Sequence, residues 1–397
     1  MTAMRQVALQ DVADINPSLD AALADDEAVP FLPMSAIDAE VVDAVDADTR
    51  PFREVRKGYT PFIADDVLVA KITPCFENGK IAQAKPTRRV GFGSTEFHVI
   101  RTHRSELDPR YLVYFLRQER IRKDGARKMT GSAGQRRVPE HFLANLKVPL
   151  PPLPEQRRIA GILDKADALR AKRRTALAQL DTLTQSIFLD MFGDTATNPK
   201  GWPVVELRSV VREGTIVTYG IVQAGDEFPG GVPYIRTGDI VDGQISVRGL
   251  RHTAPEIAAR FRRSRVEAGD IVMSIRATVG TTAEVPRELD GANLTQGTAR
   301  IAPGEQIVGR YLLNYLRAPG TQKWIERQIK GATFREITLA RLRELPVWIP
   351  PMSLQQEFAA RATHVARLKR SQARCMGTLD ALFGTLQQAA FQGGLSS

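Results

Sequence analysis

The chain has 397 residues, 43% of them hydrophobic, so it can bury sizeable cores and global disorder is excluded. Two cysteines, Cys75 and Cys375, lie too far apart for a disulfide framework and suit a reducing cytoplasm. No apolar run is long enough to cross a membrane, and the opening segment turns acidic at once, so neither an anchor nor a secretory leader is expected and a cytoplasmic location is.

Formal net charge is +10, unevenly spread. Eleven acids against Arg5 and Arg50 give the first 50 residues a net of −9, so the remaining 347 carry +19. A field that positive favours a polyanion, and nucleic acid is the commonest one in a cell. The acidic stretch over residues 17–48 is not expected to touch DNA and reads as a partner-facing or mobile insertion.

In chain order, residues 1–150 read as one mixed globular part. A β-rich run over 67–72 is bounded by Asp65-Asp66, and a helix is expected over 109–119. Pro149, Pro151, Pro152 and Pro154 then form a stiff extended lead-in, with Pro154 suited to the first helical position and Glu155 to the first turn. Residues 151–193 read as a long helix. Ile159, Ile162, Ala166, Leu169, Ala176, Leu180, Leu183 and Ile187 follow a 3–4 alternation broken at Arg173, and Gly193 stands where a C-terminal cap belongs.

The order then repeats after about 200 residues. The second globular part, 194–350, holds a β-rich run over 270–275 and a helix from Gly309 to Arg317 extending towards Gln328. Arg110-Tyr-Leu-Val-Tyr-Phe-Leu-Arg117 recurs as Arg310-Tyr-Leu-Leu-Asn-Tyr-Leu-Arg317, identical at five of eight positions. Residues 65–72 answer to 269–276, residues 146–152 to 345–351, and residues 7–13 to 204–210. A second long helix over 351–397 begins with the capping-box spacing of Ser353 and Gln356. It carries Phe358, Ala362, Val365, Met376, Leu379, Phe383, Leu386 and Ala390 at heptad spacing, broken at Lys369 and Gln372, and ends at Gly393-Gly394. No regular strand–helix alternation appears, so the expected fold class is α+β. It comprises two pseudo-repeated globular domains separated by two long antiparallel coiled-coil helices. Forty helical residues span ~60 Å, enough to hold two reading heads about one duplex turn, ~34 Å, apart.

Pro149-Leu-Pro-Pro-Leu-Pro-Glu-Gln-Arg-Arg-Ile-Ala160, with its heptad helix ending in Leu189-Asp-Met-Phe-Gly193, resembles the central conserved region of type I restriction–modification specificity subunits. Pro350-Pro-Met-Ser-Leu-Gln-Gln-Glu-Phe358 resembles a weaker second copy, in which Glu155 and Arg157 have no match. Thr130-Gly-Ser-Ala-Gly-Gln-Arg-Arg-Val138 is also similar to the family's recognition domains. The resemblance covers nearly the whole chain. It implies that 1–150 and 194–350 are target recognition domains, each reading one half of a split, asymmetric site on double-stranded DNA. It implies that the helices set the spacer and dock two methyltransferase subunits, which bind S-adenosylmethionine, and that an endonuclease–translocase subunit completes the assembly.

Residue by residue, the chemistry is expected to lie elsewhere, with no catalytic, cofactor or metal site and no cofactor in this chain. The methyltransferase Asn/Asp-Pro-Pro-aromatic loop has no match beyond Asn198-Pro199, and no phosphate-binding G-x-x-x-x-G-K-[ST] loop occurs. Asp65, Asp66, Lys71, Glu77 and Lys80 come closest to a nuclease cluster, but the two aspartates read better as a turn entering a strand. The five histidines (His98, His103, His141, His252, His364) lack metal-ligand spacing.

DNA contacts are expected from Lys71, Lys80, Arg88, Arg89, Lys128, Gln135, Arg136 and Arg137 in the first part. In the second they are expected from Arg236, Arg262, Arg263, Arg265, Arg276, Lys330 and Arg335. The loops 131–138 and 331–337 are the leading elements. Arg157, Arg158, Lys165, Arg170, Lys172, Arg173 and Arg174 make the first long helix basic, facing either DNA or an acidic partner surface. Competing readings are a self-contained nuclease or methyltransferase, a stand-alone DNA-binding regulator, and the specificity subunit of a modification-only phage-exclusion system.

Overall fold

The computed structural model describes residues 5–18, 22–132, 134–331 and 335–392. They form two compact units, one from the described residues of 1–175 and 373–397, the other from 176–372.

In the first unit a five-stranded sheet has the order Ala13–Ile15, Phe97–Thr102, Val67–Ala70, Ile81–Lys85, Asp43–Val45. Its pairs are antiparallel except the last, which is parallel. Val67–Ala70 is the central strand and all four of its residues are buried. Alternate side chains point to opposite faces of a strand, and here they feed two cores. Val67 and Val69 pack with Tyr111, Leu112 and Phe115. Leu68 and Ala70 pack with Leu32, Phe62 and Phe97 on the other side. That double burial explains why the strand reads as a continuous apolar run rather than an alternating one. A second, four-stranded sheet has the order Asp48–Pro51, Ala28–Leu32, Val90–Gly93, Thr60–Ile63.

The second unit repeats the plan. Thr218–Tyr219, Thr298–Ile301, Ile271–Ser274 and Thr282–Glu284 form an antiparallel sheet in that order. Ile271 and Met273 face the helix side, and Val272 faces a separate cluster with Ile235 and Leu294.

The helices differ in detail from expectation. Pro109–Leu116 is capped by Asp108, whose carboxylate accepts from the Arg110 and Tyr111 amides, and it stops before a separate helix, Glu119–Arg127. Likewise Gly309–Arg317 does not run on to Gln328. Pro319 forces the preceding Ala318 into extended backbone, and a new helix, Pro319–Gln328, starts there.

The two long helices are Leu153–Phe192 and Met352–Gln392. Pro154 is the second helical residue, and the lead-in is partly a strand, since Lys147–Pro149 pairs with Gln6–Ala8. The start of the first helix (Ile159, Ala160, Leu163) shares the first unit's core with the end of the second (Phe383, Leu386, Ala390, Phe391). The end of the first (Ile187, Phe188, Met191, Phe192) shares the second unit's core with the start of the second (Leu354, Phe358, Ala362). Start meets end in both units, so the helices run antiparallel.

The second helix buries or half-buries Phe358, Val365, Met376, Leu379, Phe383 and Leu386 as the heptads predict. The first helix does so only in part. Ile159 is buried and Ile162, Ala166, Leu180 and Ile187 are half-buried, but Leu169 and Leu183 are 58% and 39% exposed. The inward positions after Ile159 are Leu163, Asp167 and Arg170. Arg170 takes the place that apolar patterning gives to Leu169 because its charge is satisfied there. It donates to Asp167 and Asp380, both at 2.7 Å, and lies 4.4 Å from the centre of the Phe383 ring.

Two further expectations are corrected. The second helix begins at Met352, so Ser353 is already helical and no Ser353–Gln356 capping box forms. The neighbouring Gln355 does the work, fully buried. Its side-chain oxygen accepts from the Val308 amide (2.9 Å) and its nitrogen donates to the Pro350 carbonyl (2.8 Å). Gln156 makes the same clamp in the first unit, to the Asp108 amide and the Pro151 and Glu106 carbonyls, all at 2.8 Å. We expect Gln156→Leu to cost about 1–3 kcal/mol, because three backbone groups lose their partner, the Pro151 carbonyl in a buried place and the other two in partly buried ones. Urea denaturation followed by circular dichroism measures this, and an unchanged midpoint would remove the clamp from the account. The expected C-terminal glycine pair, Gly393-Gly394, lies outside the described residues. Gly193 caps as expected, at φ +90° with its amide donating to the Leu189 carbonyl.

The acidic segment is no loose insertion over residues 22–48. It supplies strands to both sheets of the first unit, Glu40 pairs with Arg174, and Asp43 pairs with Arg110. No described helix is long and apolar enough to cross a membrane.

Candidate nucleic-acid interface

Each unit ends its central strand against a loop closed by the same backbone device. In the first, Thr130 and Arg137 exchange amide–carbonyl bonds of 3.0 and 2.8 Å. The Val138 amide donates to the Lys71 carbonyl and the Thr73 amide to the Arg136 carbonyl. In the second, Lys330 and Glu336 exchange bonds of 2.9 and 3.1 Å, the Ile337 amide donates to the Ile275 carbonyl, and the Ala277 amide to the Arg335 carbonyl. Residue 133 and residues 332–334, inside these loops, lie outside the described residues. Gly131, at φ +118°, is placed where an added Cβ would stand 2.8 Å from the Gln135 carbonyl oxygen, so the loop's close return needs glycine there.

The ion pair at the loop base is reversed between the units. Arg137 donates through two nitrogens to Glu96, the closest contact 2.7 Å, and also reaches the Gln135 carbonyl. In the second unit the loop residue is the acid, and Arg276 donates to Glu336 at 3.2 Å. The hydrogen bond from Arg137 holds the Glu96 carboxyl below its ordinary value. Beneath the first loop lies His98, 5% exposed, and burial lowers its pKa. The Val138 carbonyl can only accept, so Nε2 carries the proton and Nδ1 accepts from Asn16.

The predicted contact residues divide by their partners. Arg88, Arg89, Lys128, Arg136, Arg262, Arg263, Arg265 and Lys330 are exposed and make no ion pair among the described residues, and Gln135 is exposed beside Arg136. These charges are free for phosphate. Arg137, Arg236, Arg276 and Arg335 are each bound to an acid, respectively Glu96, Asp239, Glu336 and Glu326. Lys80 donates to the Met34 carbonyl. Lys71 is half-buried, without an ion pair among the described residues, and lines a cleft of about 330 Å³ with Asn16, Tyr59, Thr60, Phe97 and Val99.

The two aspartates of the notional nuclease cluster serve the fold. Asp65 sits at φ +72° in the turn and meets Lys85 and Arg104. Asp66 accepts from the Ile63 amide and from two nitrogens of Arg101. Asp270 repeats this with the Glu267 amide, Arg300 and Arg212. On the first long helix, Arg158, Arg170 and Arg174 pair with Glu155, with Asp167 and Asp380, and with Glu40. Part of that basic face is therefore satisfied within the chain.

The sequence reading missed Gln156, Gln355, Arg117 and Arg317 as structural residues. Arg117 donates to the Ile81 and Val41 carbonyls, and burial pushes its guanidinium down to about 10. Arg317 donates likewise to the Thr282 and Gly243 carbonyls. The signal was present, since both arginines close the repeated eight-residue motif and both glutamines stand five residues after a proline, Pro151 or Pro350.

A duplicated α+β domain, each copy with a clamped basic loop and a long helix, defines a class of protein that comparison identifies. The model for the type I restriction modification DNA specificity domain matches residues 2–180 and again 199–370, and the chain belongs to that family. The EcoEI type I restriction enzyme specificity subunit of Escherichia coli is 38% identical over 186 residues, 46% of this chain and 31% of the relative. The EcoAI subunit of the same organism is 35% identical over 184 residues, again 31% of its own length. The chain thus spans about a third of these two curated relatives. The EcoBI subunit is 25% identical over 298 residues, 68% of this chain and 62% of the relative. Among solved structures, a chain from work on assembly and conformational transition of the type I R-M system aligns at TM-score 0.63 and 24% identity, covering 100% of this chain and 99% of its own. A type I S subunit from M. genitalium aligns at TM-score 0.53 and 13% identity, covering 98% and 96%. Both likenesses concern the fold.

Proposed function

We propose that this chain is the non-catalytic specificity subunit of a type I restriction–modification enzyme, reading a bipartite, asymmetric DNA site. Residues 1–150 and 194–350 act as its target recognition domains, and the long helices dock two methyltransferase subunits. An endonuclease–translocase subunit joins the assembly, which works on DNA in the cytoplasm. The observation that carries this reading is the duplicated loop, closed by the same backbone bonds and flanked by exposed cations without acid partners among the described residues, Lys128 and Arg136 in the first unit and Lys330 in the second. Arg88, Arg89, Lys128, Arg136, Arg262, Arg263, Arg265 and Lys330 supply phosphate contacts, and Gln135 a base contact. The reversed ion pairs give the loops different surfaces, which fits two different half-sites.

The test is a methylome. The chain is expressed with the methyltransferase encoded beside it in a host lacking DNA methylation, and modified bases are sequenced. The expected result is a split motif with methyladenine in both halves, lost when this chain is omitted. A soluble complex that leaves the DNA unmodified would overturn the proposal.

A further inference from the structure

The cleft beside the first loop has no assigned occupant. Lys71 reaches it from the end of the central strand, half-buried and without an ion pair among the described residues. Its own backbone is committed to the clamp, the amide donating to the Glu96 carbonyl (2.8 Å) and the carbonyl accepting from Val138 (2.8 Å). The side chain makes none of those backbone bonds, although its charge acts on the nearby Glu96 carboxyl. In the second unit Ile275, only 2% exposed, occupies the corresponding place and its carbonyl accepts from Ile337 in the same way. A cation is therefore dispensable to the device and present in one copy.

The cleft walls favour a flat, part-apolar group over a hydrated one. The Phe97 and Val99 side chains are buried, and the Tyr59 ring is held edge-on to Phe31 at 5.1 Å while 36% of the residue stays exposed. Thr60 adds a hydroxyl. A lysine ammonium offers three donors and no acceptor, and in the major groove the matching pattern is the paired acceptors N7 and O6 of guanine. Phosphate oxygens share that acceptor chemistry, but the exposed Arg136 and Lys128 beside the loop are better placed for them than a half-buried lysine.

We infer that this cleft is the base-reading notch of the first domain and that Lys71 reads a guanine edge in one half-site. The inference rests on the proposed specificity function. The second half-site lacks an equivalent reading because Ile275 stands where the lysine would be.

The experiment compares wild type, Lys71→Met and Lys71→Arg, each complexed with the methyltransferase, by methylome and by binding to cognate and scrambled duplexes over a salt series. Lys71→Met is expected to relax one guanine in one half-site, leave the other half unchanged, and weaken cognate binding about 10–100-fold. Scrambled-duplex binding and the salt slope should stay the same. Lys71→Arg, which keeps the donors, should retain the guanine. Equal loss on cognate and scrambled DNA with a salt slope shallower by about one indicates a phosphate contact and overturns the inference. So does an unchanged motif in Lys71→Met, or the same loss in Lys71→Arg, which would mark the position as a support for the loop. A wild-type complex without a split motif would instead sink the functional proposal on which this rests.

Discussion

Asp270→Ala is expected to lower the stability of the second unit by about 3–5 kcal/mol, the cost of breaking a buried ion pair from one side. The Asp270 side chain is fully buried, and it accepts from Arg300 Nε at 2.7 Å, from Arg212 at 2.7 Å and from the Glu267 amide at 2.9 Å. Arg300 is itself only 6% exposed, so removing the carboxylate strands a guanidinium that water cannot reach, with Glu267 as its remaining acid. The equivalent change in the first unit, Asp66→Ala, should cost less, about 1–3 kcal/mol, because the Arg101 side chain is 25% exposed and recovers hydration. The two are separable in one experiment. All three tryptophans, Trp202, Trp324 and Trp348, belong to the second unit, so fluorescence follows that unit while circular dichroism follows both. Asp270→Ala should move the fluorescence transition in denaturant, and Asp66→Ala should move only the dichroism. A fluorescence midpoint within about 1 kcal/mol of wild type would show that the Arg300 charge finds other partners.

What the sequence made legible was whatever depends on local pattern. The repeated Arg-Tyr-Leu motif, the strands around Val67 and Ile271 and both long helices follow from periodicity and were readable at their observed places. Pairings across long sequence separations were not. Glu96 and Arg137, or Asp270 and Arg300, carry no mark in the sequence that says which acid meets which base. Patterning also could not foresee that Arg170 is inward, since a charge there is tolerable only once Asp167, Asp380 and the Phe383 ring surround it. That one satisfied arginine turns Leu169 outward. The list of contact residues suffered in the same way. Sequence gives the number of cations near a loop, and only the fold separates Arg136, which is free of acids, from Arg137, which is not.

Phe188→Ala carries the other large expected effect. Phe188 is 1% exposed and lies within 5.0–6.4 Å, centre to centre, of the rings of Phe192, Phe358, Tyr311 and Tyr315. It thus joins the first long helix, the second long helix and the Gly309–Arg317 helix at one point. A buried phenylalanine cut to alanine loses about 3–5 kcal/mol, and each aromatic pair adds about 0.5–1.5 kcal/mol beyond buried area. We expect the upper part of the range, read from the fluorescence transition, with Phe188→Leu costing less than Phe188→Ala because leucine refills most of the space while the ring contacts are lost in both. The sharper test is a double-mutant cycle with Phe358→Ala. The two rings meet edge to face at 5.4 Å, so once one is removed the other has less to lose. The pair should fall short of the sum of the single losses by about 0.5–3 kcal/mol. Strict additivity would mean that the two long helices are anchored to this unit independently, each by its own contacts, rather than through one shared aromatic cluster.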